Sequence, residues 1–342
     1  MTHHKNRFSR RGVMTGMAVT GAVFGTAALS QTLNARSFPA FGKVVEEQPF
    51  ARIEEVGPGI WGVVSTPLKP DGSFNPAAIA TLCNGGIIAG EDKVVAIDGS
   101  FRPEGAAWLA AQALRLTGRP VTDVIVTHFH ADHTGGLAGY QNGASGPEII
   151  ATATTNQLIF ERYAGAKQTP EGAQFAQPVI RPVMPTRIIA DETSILTMDL
   201  GGRTIRLHPL KGHTPSDLAI VVDDASVIFA GDLVWAGLFH NYVDAIPSHL
   251  TTSVEHLLSD PKRTIVTGHG AIARAGDLGN YLDLLHLVEE EARASYIAGK
   301  TPAEGAKDFV VPASLGTWQL FNPRYYETAF EAWRRELAGE TS

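Results

Sequence analysis

The sequence predicts a layered α/β protein with a helical extension at its C-terminus, and three observations point there. Short β-branched runs, punctuated by Gly and Asp, recur from about Ile53 to Thr267. One segment of helical periodicity, 105–116, lies among them. Beyond Asp277 the character turns helical and stays so. Strands mixed with outlying helices bury their apolar faces by stacking in layers.

Taken in order, residues 60–65, 86–89 and 94–98 read as strands. Helix 105–116 follows, with Leu109, Ala113 and Leu116 at helical spacing. The β-branched strand 121–127 runs straight into His128. Residues 203–207, 219–222 and 227–230 read as three more strands, and 265–267 as another, just before Gly268-His269-Gly270. Helices are expected over 281–298, 302–309 and 323–337. The domain organisation is a leader over 1–35, a domain over 50–275 and a helical extension over 276–342.

The composition narrows the function classes. At 342 residues, with 44% hydrophobic and 18% charged, the chain is an ordinary globular sequence and neither disordered nor fibrous. A single cysteine, Cys83, excludes an intramolecular disulfide scaffold and an all-thiolate metal cluster. The net charge is -7, and residues 1–35 hold Lys5, Arg7, Arg10 and Arg11 with no acid, so the remainder carries -7 minus 4, or -11. A body that acidic lacks the clustered cations that phosphates need, so no nucleic-acid partner is expected.

The leader runs from a basic start through a mildly apolar stretch, 12–29, to small residues at Ala28-Leu29-Ser30 and near Ala35, the order of a signal peptide. Arg10-Arg11 at its junction resembles a twin-arginine export signal, with the twin-arginine machinery as the implied partner. Such export carries folded proteins. Thr15, Thr20 and Thr26 interrupt the apolar run, unlike a membrane span. A periplasmic location is expected; the alternative is an uncleaved anchor in the inner membrane facing the periplasm.

The chemistry concentrates in Thr127-His128-Phe129-His130-Ala131-Asp132-His133-Thr134-Gly135-Gly136. In an extended segment His128 and His130 point the same way, so both reach one ion. A turn brings Asp132 and His133 round, and Thr134-Gly135-Gly136 is expected to open a helix. Three later junctions each add one ligand type: His213 in Gly212-His213-Thr214-Pro215, Asp232 after an apolar strand, and His269 between two glycines. Imidazole and carboxylate are zinc ligands, and catalytic sites leave a position open for water.

This ordered set resembles the metallo-β-lactamase superfamily over roughly residues 53–275, with the HxHxDH motif standing as His128 to His133. The resemblance implies an αββα sandwich with a dinuclear site at one edge between its sheets. It assigns His128, His130 and His213 to a first metal, and Asp132, His133 and His269 to a second, with Asp232 bridging. Two Zn²⁺ per chain are implied, iron or manganese being possible because these donors suit several ions. Paired divalent ions acidify a bound water into a bridging hydroxide and polarise the attacked carbonyl. Asp132 would orient that hydroxide and help deliver a proton to the leaving group. The expected reaction is metal-assisted hydrolysis of a small molecule, most readily an acyl bond in a β-lactam, lactone or ester.

Residues 228–247 resemble the matching stretch of zinc β-lactamases, with two departures. Asp232 stands where those enzymes have Cys, as in hydrolases of thioesters, lactones and phosphodiesters. Trp235 stands where they carry a Lys that grips the antibiotic's carboxylate. Trp235, Asn241 and Tyr242 are the candidate substrate-binding residues. Trp235, Phe239 and Tyr242 would form an apolar rim, and Asn241 matches the lactamase residue that bonds the substrate carbonyl. A glyoxalase II-like thioesterase and a mononuclear-iron persulfide dioxygenase-like oxidoreductase are the alternatives; the complete set of seven ligands favours the dinuclear hydrolase. Of the other histidines, His208 is a candidate second partner for the site, though packing suits it better, and His240 falls near the rim. The aromatic tail from Trp318 to Trp333 would roof the pocket or meet a second subunit; the sequence leaves the oligomeric state open.

Overall fold

A computed structural model describes residues 38–69, 73–141, 146–164, 183–191 and 194–340. The expected leader, with its paired arginines and cleavage sites, lies outside the described residues. An eight-stranded sheet holds β1 (Lys43–Glu47), β2 (Ala51–Gly57), β3 (Ile60–Ser65), β4 (Gly85–Ala89), β5 (Val94–Ile97), β6 (Asp123–Ile125), β7 (Glu148–Thr152) and β8 (Arg187–Ile189) in chain order. Neighbours are antiparallel as far as β5 and parallel from there on. The change comes where helix α1 (Pro103–Thr117) crosses over between β5 and β6, because parallel neighbours need a long connection.

The second sheet contains β9 (Leu196–Asp199), β10 (Thr204–Leu210), β11 (Asp217–Val222), β12 (Val227–Ala236), β13 (Thr264–Gly270) and β14 (Ala273–Arg274), in the spatial order 14-13-12-11-10-9. Only β12 and β13 run parallel in it. The strands of the first sheet read as continuous apolar runs because both their faces are covered. Ile60, Val64, Ile88, Val95 and Ile97 share one cluster with Leu207, Ile220 and Phe229 of the second sheet. Their alternates, Trp61, Val63, Ile87, Val94 and Ala96, pack against Ala106, Leu109 and Ala113 of α1.

Short helices α2 (Ala131–Thr134) and α3 (Ala153–Ile159) follow β6 and β7. Helix α4 (Pro247–Leu258) packs on β12 and on α5 (Gly279–Ile297), burying Leu250, Val254 and Leu257. The layers are thus helix, sheet, sheet, helix, as expected for an αββα sandwich. Helices α6 (Pro302–Asp308) and α7 (Tyr325–Leu337) pack with α5 through Leu284, Val288, Phe330 and Trp333. These side chains belong to the same cluster as the sheets, so the extension is continuous with the sandwich core.

Local details differ from the sequence reading. Strand β6 is shorter than 121–127, because the Thr127 amide leaves the ladder to donate to Asp98 Oδ1 at 2.7 Å. Thr134 and Gly135 close α2, and Gly136 caps the short 3₁₀ helix Leu137–Tyr140 that the segment opens. A side chain at 136 would collide with the carbonyls of Gly99 and Arg102. Strand β12 runs on past residue 230 to Ala236, alongside β13. Strand β1 lies ahead of residue 50 and adds an edge to the first sheet. Among the described residues, no helix is long and apolar enough to cross a membrane.

Candidate metal centre

The seven sequence-nominated ligands come from both sheets and converge. His128, His130, Asp132 and His133 occupy the loop after β6 and the start of α2, and His213 lies in the turn between β10 and β11. That turn is pinned by Asp217, which accepts the Thr214 amide at 3.0 Å. Asp232 lies within β12 and His269 within β13. The ladder between these two strands is irregular around Gly231 and Trp235, so Asp232 departs from regular pairing. Two glycines make room for it. Gly231 has φ 52°, where a side chain would also sit 2.8 Å from Thr127 Cβ. A side chain at Gly268 would collide with Asp232 Oδ1 itself.

The donors form two groups that share one carboxylate. His128, His130, His213 and Asp232 make the first, and Asp132, His133, Asp232 and His269 the second; within each, the ligand atoms lie within 4.8 Å of one another. In the first, His213 Nε2 is 2.9 Å from His130 Nδ1 and 3.3 Å from Asp232 Oδ2. In the second, His269 Nε2 is 3.2 Å from both Asp132 Oδ2 and Asp232 Oδ2. His133 Nε2 and Asp232 Oδ1 are buried and 3.0 Å apart, yet neither makes an aligned hydrogen bond. Buried donor atoms turned on a common point with no aligned hydrogen-bond partner fit a cation, so the residues suit a metal pair.

Behind the ligands stands a set of supports. Asp244 Oδ2 accepts from His130 Nε2 at 2.8 Å, while its Oδ1 holds Arg162, whose guanidinium lies over the Phe129 ring. Asp98 Oδ2 accepts from His133 Nδ1 at 2.8 Å and from the Thr127 hydroxyl at 2.9 Å. With its proton so committed, Thr127 Oγ1 accepts from His128 Nδ1 at 3.1 Å. His213 Nδ1 meets His240 Nε2 at 3.0 Å, and His240 Nδ1 meets the Tyr281 hydroxyl at 2.9 Å. Each contact fixes which ring nitrogen faces the centre. Asn84 accepts the Ser65 amide and donates to Thr267 Oγ1 and the Gly270 carbonyl, tying the first sheet to the strand of His269.

Electrostatics divide the cluster. Burial holds the His128 and His213 imidazoles well below the usual range, and nearby imidazoles add to the effect. Burial also depresses His240, to about 3. For His269 burial works the other way from the outcome: Asp232 and Asp132 outweigh it and lift the imidazole to about 9. Burial likewise opposes ionisation of Asp132 and Asp232, but His133 and His269 overcome it and hold both carboxyls below the usual range. Metal-free, the second group keeps protons where an ion would sit. Cys83 donates to the Asp132 carbonyl at 2.9 Å, and burial pushes its thiol up to about 12, so it is an inert support.

The substrate-binding nominees scatter. The Trp235 ring lies 4.3 Å from that of His269, beside the second group. Asn241 is half-buried and caps its own turn, accepting the Val243 amide at 3.1 Å. Tyr242 is 1% exposed and packs on Phe239 and His240. The rings that join Trp235 come from the extension instead: Phe321 stands 5.7 Å from His269 and 6.0 Å from Trp235, and Tyr325 stands 6.4 Å from Trp235. The tail therefore roofs the centre, one of its two expected roles. His208 packs near His256, away from the ligands, and His240 supports His213 from inside the core. Sequence reading missed Asp98, Asp244 and Tyr281, whose only signals were a strand-end Asp, a loop Asp and an apolar helix position.

A four-layer sandwich carrying two metal-sized His/Asp groups on a shared carboxylate defines a metal-binding α/β protein. The sequence matches the metallo-beta-lactamase superfamily over residues 79–269, a span that includes all seven nominated donors, and the chain belongs to that family. It is 26% identical over 239 residues to a type 2 metallo-beta-lactamase from Bacillus sp. (strain 170), covering 68% of this chain and 81% of that one. It is 24% identical over 217 residues to a hydroxyacylglutathione hydrolase from Shewanella sp. (strain ANA-3), covering 63% and 70%. Its fold is similar to the sec-alkylsulfatase Pisa1 from Pseudomonas sp., at TM-score 0.63 and 19% identity over 84% of this chain and half (50%) of that one. It is also similar to a metallo-beta-lactamase from Pontibacter korlensis, at TM-score 0.53 and 19% identity over 69% of this chain and 99% of that one.

Proposed function

We propose that this protein is a dinuclear zinc hydrolase that cleaves an acyl bond in a small molecule, with a β-lactam, lactone or ester as substrate. One observation carries the reading: seven donors in two groups, each compact enough to hold one ion, meeting at Asp232. Bound ions would supply an acidified water and a polarised carbonyl. The chain's own residues do the rest. His128, His130 and His213 would hold one ion, Asp132, His133 and His269 the other, and Asp232 both. Asp132 is the more accessible carboxylate, its side chain 25% exposed against 3% for Asp232. It is thus placed to meet incoming water and to pass a proton to the leaving group. Trp235 and Phe321 bound the second-metal side and exclude water there.

Two of the relatives named above, a metallo-beta-lactamase and a hydroxyacylglutathione hydrolase, support acyl chemistry and keep a glyoxalase II-like thioesterase as the second reading. The Trp at 235, an apolar ring with no carboxylate-gripping cation, supports an ester or lactone over a penicillin. Hydrolysis of a panel of lactams, lactones, aryl esters and acyl thioesters by zinc-loaded protein tests the reading, and a chelator should abolish the activity found. No turnover of any of them would overturn it.

We also propose export to the periplasm through the twin-arginine machinery, on the Ser9-Arg10-Arg11 leader. Replacing both arginines by lysine should retain the protein in the cytoplasm; undiminished export would contradict that route.

A further inference from the structure

We infer that Tyr281 and His240 form a one-way hydrogen-bond relay that fixes the tautomer of His213 and so presents its Nε2 lone pair to the first metal position. The direction follows from the far end. The Tyr281 hydroxyl lies 3.1 Å from the Leu233 carbonyl, which can only accept. Leu233 lies in the stretch of β12 between Gly231 and Trp235 where the ladder to β13 is interrupted. A buried carbonyl there needs a donor, and an unpaired one would be costly. Tyr281 therefore spends its single proton on Leu233.

The remaining steps have no freedom. With that proton spent, the phenol oxygen accepts from His240, so His240 carries its hydrogen on Nδ1. His240 is fully buried among Trp235, Tyr242 and Tyr281, its two hydrogen-bond partners are a phenol and an imidazole, and it stays neutral with one ring proton. Its Nε2 is then an acceptor and must take the hydrogen of His213 Nδ1, 3.0 Å away. His213 Nε2 is left as a bare lone pair, 2.9 Å from His130 Nδ1. His130 and His133 are fixed by the carboxylates Asp244 and Asp98. Among the supports described above, the relay behind His213 alone runs through neutral groups and ends on backbone.

Tyr281 lies on α5, outside the matched span 79–269, so the C-terminal extension sets the geometry of a ligand in the sandwich. Tyr281 and His240 are positioning residues. The inference rests on the proposed metal reading only for its consequence, since the tautomers exist in metal-free protein.

The test uses full-length protein with ¹⁵N-labelled histidine, stripped of metal, and long-range ¹H–¹⁵N correlation spectra. His213 and His240 should both appear as Nδ1–H tautomers, and His240 as Nε2–H would overturn the relay. Tyr281→Phe removes the acceptor. The Nδ1–H signature of His240 should be lost, and affinity for zinc alone, by competition with a chromophoric chelator, should fall about 10- to 100-fold. An unchanged His240 tautomer with unchanged zinc affinity in Tyr281→Phe would also overturn it. Wild-type protein that binds no zinc yet shows both Nδ1–H tautomers would support the relay and refute the metal reading, which separates the two.

Discussion

Asp98 Oδ2 sits 2.8 Å from His133 Nδ1, 35 residues away in sequence, and so holds a ligand of the second group from behind. Asp98 adopts φ 64°, a left-handed conformation that Asp tolerates better than most residues, at the end of β5. Asp98→Ala should weaken binding of the second zinc by about 10- to 100-fold and that of the first, which Asp98 reaches only through Thr127 and His128, by less. Stepwise zinc titration measures this; equal loss at both positions would show a general folding defect instead.

Asp132→Ala removes the most accessible carboxylate of the centre. Turnover should drop by at least about 100-fold, the usual size of a lost proton-transfer group. Steady-state kinetics on whichever substrate the panel identifies, at saturating zinc, give the number. Wild-type turnover in this variant would refute the role assigned to Asp132.

Phe321 brings the extension within 5.7 Å of His269 and forms a wall with Trp235. Phe321→Ala should lower kcat/KM for esters with a large aromatic acyl group about 10-fold relative to acetyl esters, because the apolar surface that covers the group is lost. Equal effects on both would leave the roof without a part in selectivity.

Zinc loading should release protons. Metal-free His269 titrates at about 9, above its ordinary 6.5, and His133 is raised as well. His269 therefore holds a proton at pH 7.5 and must lose it to bind an ion, and the upward shift of His133 works in the same direction. Affinity should rise with pH from 7 toward about 9 as His269 loses its proton. Calorimetry in two buffers of different ionisation heat should find at least one proton released per chain at pH 7.5; none released would contradict the assignment of His269.

The donor cluster was legible because four of its seven members fall within six residues after an apolar strand, and the others each follow a glycine. The sandwich was legible because strands covered on both faces carry unbroken apolar runs, as in Val94–Ile97. The supports were not. Asp98, Asp244, His240 and Tyr281 reach their partners across 35, 114, 27 and 41 residues, and no local pattern marks such pairings. Tyr242 failed as a rim residue for a related reason: its aromatic character served the core equally well, and only packing decides between them.

Metal content per chain tests the central claim most directly. Elemental analysis of mature protein purified from its natural compartment should give about two zinc, one for each group around Asp232. One iron per chain would contradict the dinuclear hydrolase and direct attention to oxygen uptake with thiol and persulfide substrates.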